Sequence, residues 1–249
     1  MTILLQKNRK YISNKKAFII VLFIIAPMAL LIRYPLNGEL IVDGIDGLTN
    51  VMGRSLLIQG LVSGEFPLWN KFLANGIPAF SLNIPTFFLG WMPIQWSIFF
   101  LICLHVFFAA FFMYLYLIEI KCDSIAALAV AVMLLFSIHL GGLRKMHPGI
   151  IVASSIFPVV MYFVQRYLNT RKMKYTALAA GVLAYGFYSS NTQYVSYMAT
   201  ASGIYLFAVS MKNKVRIDEV IKALAVFAIL CRQRGCCIHG TRGERDRRR

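Results

Sequence analysis

Carboxylates are scarce in this 249-residue chain, in which ten Asp and Glu residues accompany 26 Lys and Arg residues. Charged residues of both signs make up 14% of the sequence, hydrophobic residues make up 59%, and the mean hydropathy is +0.66. Soluble globular domains carry about 25% charged residues. The composition therefore excludes an ordinary soluble domain and predicts an all-α fold, that of a polytopic helical membrane protein.

The sequence also lacks the motifs of several common protein classes. Its five cysteines form neither a disulfide framework nor a zinc-ligand spacing, and no Walker or dinucleotide-binding glycine motif is present. The net charge of +16 does not indicate nucleic acid, because the basic residues stand in short clusters between apolar runs. The first apolar run ends in Arg33-Tyr34-Pro35 rather than at a small-residue cleavage site, so we expect an uncleaved anchor.

The apolar runs predict six full membrane spans and an incomplete seventh. The six spans are expected at residues 17–32, 96–118, 124–140, 150–167, 176–189 and 194–211. The seventh run, residues 220–230, is too short to cross roughly 30 Å of hydrocarbon. Lys and Arg concentrate at alternate ends of the spans, which predicts a multi-pass membrane protein with a cytoplasmic N-terminus and an extracytoplasmic first loop, about 36–95.

The C-terminal tail differs in composition from everything before it. Residues 1–231 form one predicted membrane domain, whereas residues 232–249 are rich in arginine and end in three consecutive arginines. We expect this tail to be aberrant or disordered, the product of a frameshift or truncation of a longer membrane protein. The alternative is a functional basic tail.

Four of the ten acidic residues, Glu39, Asp43, Asp46 and Glu65, crowd the first loop. Asp43 and Asp46 are three residues apart, so their side chains would share one face of a helical turn. A carboxylate there can act as a general base on an acceptor hydroxyl or hold a divalent cation against a phosphate. The alternative is that Asp46 caps a helix and Asp43 is solvated.

The helix that Asp46 would cap is predicted from an apolar stripe with helical spacing. Its members are Ile45, Leu48, Met52 and Leu56. Such a stripe is typical of an amphipathic helix that lies on a membrane surface.

Further along the loop, Glu65, Trp69 and Asn70 are candidates for substrate binding. A Trp ring stacks on the face of a sugar, while Asn amides hydrogen-bond to its hydroxyls. The alternative is an interfacial Trp anchor beside ordinary turn residues.

Two later loops on the same predicted outer face complete the candidate site. Arg144, Lys145 and His147 can clamp a lipid phosphate, or they can simply lie near anionic headgroups. Asn191 and Gln193 can line the same cleft, or they can form a polar turn. The histidines within or at the ends of apolar runs, His105 and His139, are interpreted as hydrogen-bonded structural residues.

Taken in order, these motifs resemble the N-terminal part of YfhO-type bacterial membrane proteins, within the GT-C class of polyprenyl-phosphate-dependent glycosyltransferases. The resemblance covers residues 15–230. It rests on a basic start and one span, and then on five motifs of the outer loops and span ends. These are Asp43-Gly-Ile-Asp46, Gly64-Glu-Phe-Pro-Leu-Trp-Asn, Gly76-Ile-Pro, His147-Pro148 and Asn191-Thr-Gln193-Tyr194.

The resemblance implies transfer of a sugar from a polyprenyl-phosphate carrier to a cell-wall polymer or glycolipid on the outer face. It makes Asp43 or Asp46 the catalytic acid, with Asp43 preferred because it lies closer to the span. Such proteins usually have more spans than this chain, so the resemblance leaves open whether an isolated fragment is active. The rival class is a transporter or flippase of a lipid-linked or polar solute, but such proteins usually carry ionisable residues deep in their spans.

Overall fold

The computed structural model describes most of the apolar part of the chain. The described residues are 18–41, 51–53, 55–56, 58–60, 62–64, 88–89, 91–137, 149–189, 192–213, 218, 221–222 and 225, and for residues 69–70, 77–78 and 148 the backbone alone.

The described residues contain seven helices and one short pair of strands, together with turns and short helical segments. The helices are α1 (Phe18–Leu31), α2 (Arg33–Leu36), α3 (Ile94–Glu119), α4 (Ser124–Leu135), α5 (Pro148–Thr170), α6 (Met173–Ser189) and α7 (Thr192–Lys212). The strands are β1 (Trp69–Asn70) and β2 (Ile77–Pro78), which pair antiparallel. The predicted helical fold is thus confirmed, with this two-residue ladder as a local departure from an all-α fold.

Two helices, Ile94–Glu119 and Gly149–Thr170, are long and apolar enough to cross a membrane. At 26 and 22 residues they extend about 39 Å and 33 Å, more than the roughly 30 Å of a hydrocarbon core. Helices α1 and α4 are apolar but shorter, and α6 and α7 contain more polar residues. Every predicted span from 17–32 to 194–211 nevertheless coincides with a helix, within the described residues.

Local sequence sets the helix boundaries. Pro93 precedes the first residue of α3, and the Asp123 carboxylate accepts hydrogen bonds from the backbone N–H groups of Ile125 and Ala126, at 2.8 and 3.3 Å, which caps α4. Just beyond α3 and α5, Lys121 and Arg171 adopt positive φ angles of 66° and 58°. These are left-handed conformations that end a helix, and here the cations also lie at the negative ends of the helix dipoles.

The helices pack into two adjoining hydrophobic clusters. Helix α3 lies along α5 and also contacts α4, while α5 packs against both α6 and α7. The first cluster joins α1 to α4 and includes the fully buried Phe23 and Phe99. The second joins α5, α6 and α7 around Val160 and Leu183. The long pair α3–α5 is therefore the seam between two halves of the bundle.

The predicted surface helix coincides with described helical residues from 51 to 62. Val51 packs against the first cluster, whereas Met52 is 51% exposed. Leu56, another member of the predicted stripe, is half-buried. Ile45 and Leu48 lie outside the described residues, as do the tail and most of the seventh apolar run.

Candidate functional site

The start of the predicted acidic loop is fixed to the bundle by a tight turn and a buried anchor. After α2, the backbone N–H of Glu39 donates to the Tyr34 carbonyl at 2.8 Å, and Gly38 adopts a φ of +72° that glycine tolerates without strain. Ile41 then inserts into the first cluster, with 2% of its surface exposed. The sequence reaches Asp43 two residues later.

The cation of Arg33, at the start of α2, lies beside the aromatic ring of Tyr34. Arg33 donates from Nη2 to the Tyr34 hydroxyl at 2.9 Å, and its guanidinium carbon lies 4.8 Å from the centre of that ring. The hydrogen bond to Tyr34 raises the pKa of Arg33 above its ordinary value.

Two of the predicted loop motifs come together through the backbone. In the β1–β2 pair, Trp69 lies opposite Pro78 and Asn70 opposite Ile77. The ladder joins the motif that begins at Gly64 to the motif that begins at Gly76. It therefore closes a loop at the two residues, Trp69 and Asn70, that the sequence nominates for sugar binding.

Of the other eight predicted site residues, one is among the residues that the structure describes and seven are not. Gln193, the second residue of α7, is exposed, and its Nε2 donates to the Tyr197 hydroxyl at 2.7 Å. The candidates outside the described residues are Asp43, Asp46, Glu65, Arg144, Lys145, His147 and Asn191. The structure therefore does not test whether these side chains converge.

An interhelical polar network, which sequence reasoning missed, lies where α3 and α5 end. Arg166 donates from Nη1 to both Glu119 carboxylate oxygens at 3.0 and 3.2 Å, and Asn169 donates to the same carboxylate at 2.8 Å. Gln165 donates to the Asn169 side-chain oxygen at 3.0 Å, and Tyr205 of α7 donates to Gln165 at 2.7 Å. The network thus ties α3, α5 and α7 together.

The direction of donation makes this network a chain that ends on a carboxylate. Each side-chain amide accepts from the preceding donor and donates to the next acceptor, so Glu119 receives the last bonds of the sequence. The i,i+4 spacing of Gln165 and Asn169 near the end of α5 is the sequence signal that points to such a face. Glu119, the last residue of α3, is therefore paired with Arg166 and Asn169 of α5.

The central histidine of α3 is fully engaged. His105 is 4% exposed, its Nδ1 lies 2.8 Å from the Leu101 carbonyl, and its Nε2 lies 3.1 Å from the Tyr185 hydroxyl of α6. Because a carbonyl only accepts, Nδ1 carries the proton, and a neutral ring then accepts from Tyr185 at Nε2. The interpretation of His105 as a hydrogen-bonded structural residue is confirmed, while His139 lies outside the described residues.

No cluster of three or more metal-ligating side chains occurs among the residues whose positions the structure describes. A divalent cation in the candidate site would depend on Asp43 and Asp46, which lie outside that set.

Comparison with known protein families and with curated proteins gives no match to this chain.

Proposed function

We propose that the chain is an integral membrane protein in which α1 and α3 to α7 are six spans. The observation that supports this setting is the apolar outer surface of the bundle. Ile125 and Met133 of α4 are 77% and 73% exposed, and Ile204 of α7 is 64% exposed. Side chains of this kind on several outward faces would be stable in lipid and costly in water. The outward residues of α4 and α7 extend this argument beyond the two helices that are long and apolar enough to cross a membrane.

Within that setting we propose a glycosyltransferase that takes a sugar from a polyprenyl-phosphate carrier on the outer face. The observation that carries this proposal is which hydrogen-bond partners the described acids have. Glu119 is bound by Arg166 and Asn169, and Asp123 caps α4. These two acids therefore have structural partners, and the acids left for chemistry concentrate in the first loop, at Asp43, Asp46 and Glu65.

In the proposed reaction Asp43 or Asp46 takes the proton of the acceptor hydroxyl. The acceptor oxygen forms a bond to the anomeric carbon as the bond from that carbon to the phosphate oxygen breaks, and the electron pair leaves with the phosphate. Arg144 and Lys145 would stabilise the charge on the departing lipid phosphate. Trp69 and Asn70, at the closed end of the loop, would hold the sugar.

The test measures sugar transfer in vesicles that contain the whole chain. Radiolabelled polyprenyl-phosphate sugars and a cell-envelope acceptor are supplied to wild type, Asp43→Asn and Asp46→Asn. We expect transfer by the wild type and a loss of about a hundredfold or more in at least one variant, because a general base typically contributes that much. Asp123→Asn is the matched control, since Asn also caps helices well.

Two results would overturn this proposal. One is the absence of transfer by the correctly inserted wild type with every sugar and acceptor supplied. The other is normal transfer by the Asp43→Asn, Asp46→Asn double variant, which would leave helix capping as the role of these acids.

The rival function, a transporter or flippase, makes a different demand on the acids. Ion-coupled carriers typically use an ionisable group that changes its protonation inside the bundle. Among the acids that the structure describes, the one that lies within a long helix is Glu119, and Arg166 already neutralises it at 3.0 Å. This pairing favours chemistry at the outer loop over translocation through the bundle.

A further inference from the structure

Five exposed cations lie where α3, α5 and α7 end and where α6 begins. They are Lys121, Arg171, Lys172, Lys174 and Lys212, and we call them the basic rim. Neither of the ion pairs among the described residues, Glu119–Arg166 and Asp218–Lys222, includes a member of the basic rim. These cations can therefore attract an anionic partner from outside the bundle.

Contacts between α3 and α5 bring one part of the basic rim together. Asn169 of α5 donates from Nδ2 to the backbone carbonyl of Glu119 at 3.3 Å, so the last residues of the two helices lie side by side. Lys121 and Arg171 each follow this contact by two residues. Helix α6 begins two residues after Arg171, which places the cations around its first residue at the same end of the bundle.

Helix α7 brings Lys212 to that end as well. Ser202 donates to the Met161 sulfur at 3.7 Å, and Tyr205 donates to Gln165 at 2.7 Å. Residue numbers therefore rise together along α5 and α7, so the two helices run in the same direction. Lys212, the last residue of α7, follows Tyr205 by seven residues, much as the end of α5 follows Gln165.

Positive charge exceeds negative charge at this end of the bundle. Arg166 neutralises Glu119, and the acid that then remains beside α4 among the described residues is Asp123, whose carboxylate caps that helix. The ammonium nitrogen of Lys174 lies 5.2 Å from the ring centre of the half-buried Tyr175. Tyrosine is enriched where a bilayer meets water, and lysine extends its charge to the same level.

Exposed apolar side chains lie within one helical turn of these cations. Leu178 is 47% exposed and follows Lys174 by four residues, so the two share one face of α6. Met211 is 58% exposed beside Lys212, and Ile125, the second residue of α4, is 77% exposed. A soluble anion would use the charges alone, whereas a phospholipid uses both the charges and the adjoining apolar surface.

We propose that the basic rim binds the phosphate headgroups of anionic phospholipids, whose acyl chains lie against the exposed apolar side chains next to it. Lys and Arg donate charge-assisted hydrogen bonds to phosphate oxygens, and cations at the end of a membrane span attract acidic lipids. This inference rests on the proposed membrane setting and is independent of sugar transfer.

The test is photo-crosslinking of the whole chain in phosphatidylcholine vesicles that contain a trace of one of two lipid probes. The probes are phosphatidylglycerol and phosphatidylcholine with the same diazirine close to the glycerol backbone. We expect phosphatidylglycerol to label the peptide from Met173 to Leu178 at least about fivefold more than phosphatidylcholine does, because one cation near an anionic lipid contributes about that factor.

Charge variants at the start of α6 test whether the basic rim causes this preference. The Lys172→Gln, Lys174→Gln double variant should reduce the preference to less than about twofold, because each cation contributes about fivefold, and Lys172→Glu, Lys174→Glu should reduce it further. Both variants should stay folded, since the side chains are exposed and acids are favourable at the start of a helix. Arg33→Gln is the matched control, because it removes an exposed cation outside the basic rim, and it should leave the preference unchanged.

A change of salt separates a lipid headgroup from free phosphate. Replacing sodium chloride by sodium phosphate at equal ionic strength should leave the preference unchanged, because inorganic phosphate has no acyl chain to contact the apolar side chains. Loss of the preference in phosphate would overturn the proposal and assign the basic rim to a soluble anion.

Three other results would also overturn it. Equal labelling by the two probes in the wild type would show that the cations are merely solvated, and wild-type preference in the double Gln variant would place its cause elsewhere. Absence of labelling by both probes along the whole chain would reject the membrane setting itself. Sugar transfer affects none of these readings, so failure of the proposed enzyme activity is detected separately.

Discussion

The two halves of the helix bundle are held together by different means. The first cluster is joined by apolar and aromatic side chains, among them Phe23 of α1, whose ring lies 6.5 Å from that of Tyr114 of α3 at 66°. In the second half, hydrogen bonds between helices are added to apolar packing, such as the bond of Tyr205 to Gln165 and that of Ser202 to the Met161 sulfur at 3.7 Å. The α3–α5 seam carries the Glu119–Arg166 ion pair where the halves meet.

This difference explains why hydropathy alone describes one half better than the other. Apolar packing tolerates many rotations of a helix about its axis, so α3 and α4 need little beyond a run of large hydrophobic residues. Helices α6 and α7 contain more Ser, Thr and Tyr, and they gain specific orientation from small-residue contacts and interhelical hydrogen bonds. Helices α6 and α7 are thus less hydrophobic than α3 and α4, and polar contacts make their packing more specific.

The largest expected effect is a steric one at the centre of the second half. A Cβ atom on Gly186 would lie 2.9 Å from Ile156 Cδ1 and 3.3 Å from both Cγ atoms of Val195. Gly186→Val should therefore lower the free energy of unfolding by about 2–3 kcal/mol, since overpacking of a tight core costs on that order. Thermal unfolding in detergent micelles measures the change.

The matched control is Gly181 on the same helix, where a Cβ would meet nothing within 4 Å. Gly181→Ala should be neutral or stabilising by up to about 1 kcal/mol, because Ala favours the helix. Equal destabilisation by the two variants would mean that helix α6 is not closely packed between α5 and α7, and the contrast between the two halves would be lost.

An intermediate effect is expected at the seam. The side chains of Glu119 and Arg166 are 16% and 36% exposed, so the pair is only partly shielded from solvent. Glu119→Gln should cost about 1–2 kcal/mol, below the cost of breaking a fully buried pair, because solvent screens the guanidinium that remains. Unfolding in detergent is again the measurement.

A double-mutant cycle with Arg166→Met then isolates the pair itself. The combined variant should lose less stability than the sum of the two single variants, because removing both charges leaves neither uncompensated. Strict additivity would show that the two side chains contribute separately, and the seam would then resemble the apolar first half.

The sequence predicted the positions of the helices well. The predicted spans 96–118 and 176–189 fall within Ile94–Glu119 and Met173–Ser189, because apolar runs with Pro93 or basic residues at their ends are local signals. Span 124–140 was predicted too long, since α4 ends at Leu135 with a turn at Phe136. Hydropathy does not register this, because the residues after Leu135 are still apolar enough to extend the run.

The candidate site could be predicted only in part. The pairing of Trp69–Asn70 with Ile77–Pro78 depends on the backbone register between two segments. The turn residues indicate that the chain bends here, but they do not indicate which segments pair. Glu119 and Arg166 are 47 residues apart, and their pairing depends on how α3 and α5 are rotated against each other. Because α3 is apolar on nearly every side, hydrophobic periodicity does not encode how it is rotated against α5.

The smallest expected effect concerns two tyrosine–glutamine hydrogen bonds, one between helices and one within a single helix. Tyr205 donates to Gln165 of another helix at 2.7 Å, whereas Tyr197 accepts from Gln193 of its own helix at the same distance and is 61% exposed. Tyr205→Phe should cost about 1 kcal/mol, in the range measured for interhelical bonds in membrane proteins, and Tyr197→Phe less than about 0.5 kcal/mol. Unfolding of both variants under identical detergent conditions gives the two values. Both substitutions remove a phenol oxygen, but Tyr205 donates its hydrogen bond and Tyr197 accepts one, so the difference reports on the role of the hydroxyl as well as on its location. If Tyr197→Phe cost as much as Tyr205→Phe, the hydrogen bond from α7 to α5 would not be what orients α7. Small-residue packing around Gly186 would then remain as the determinant of that orientation.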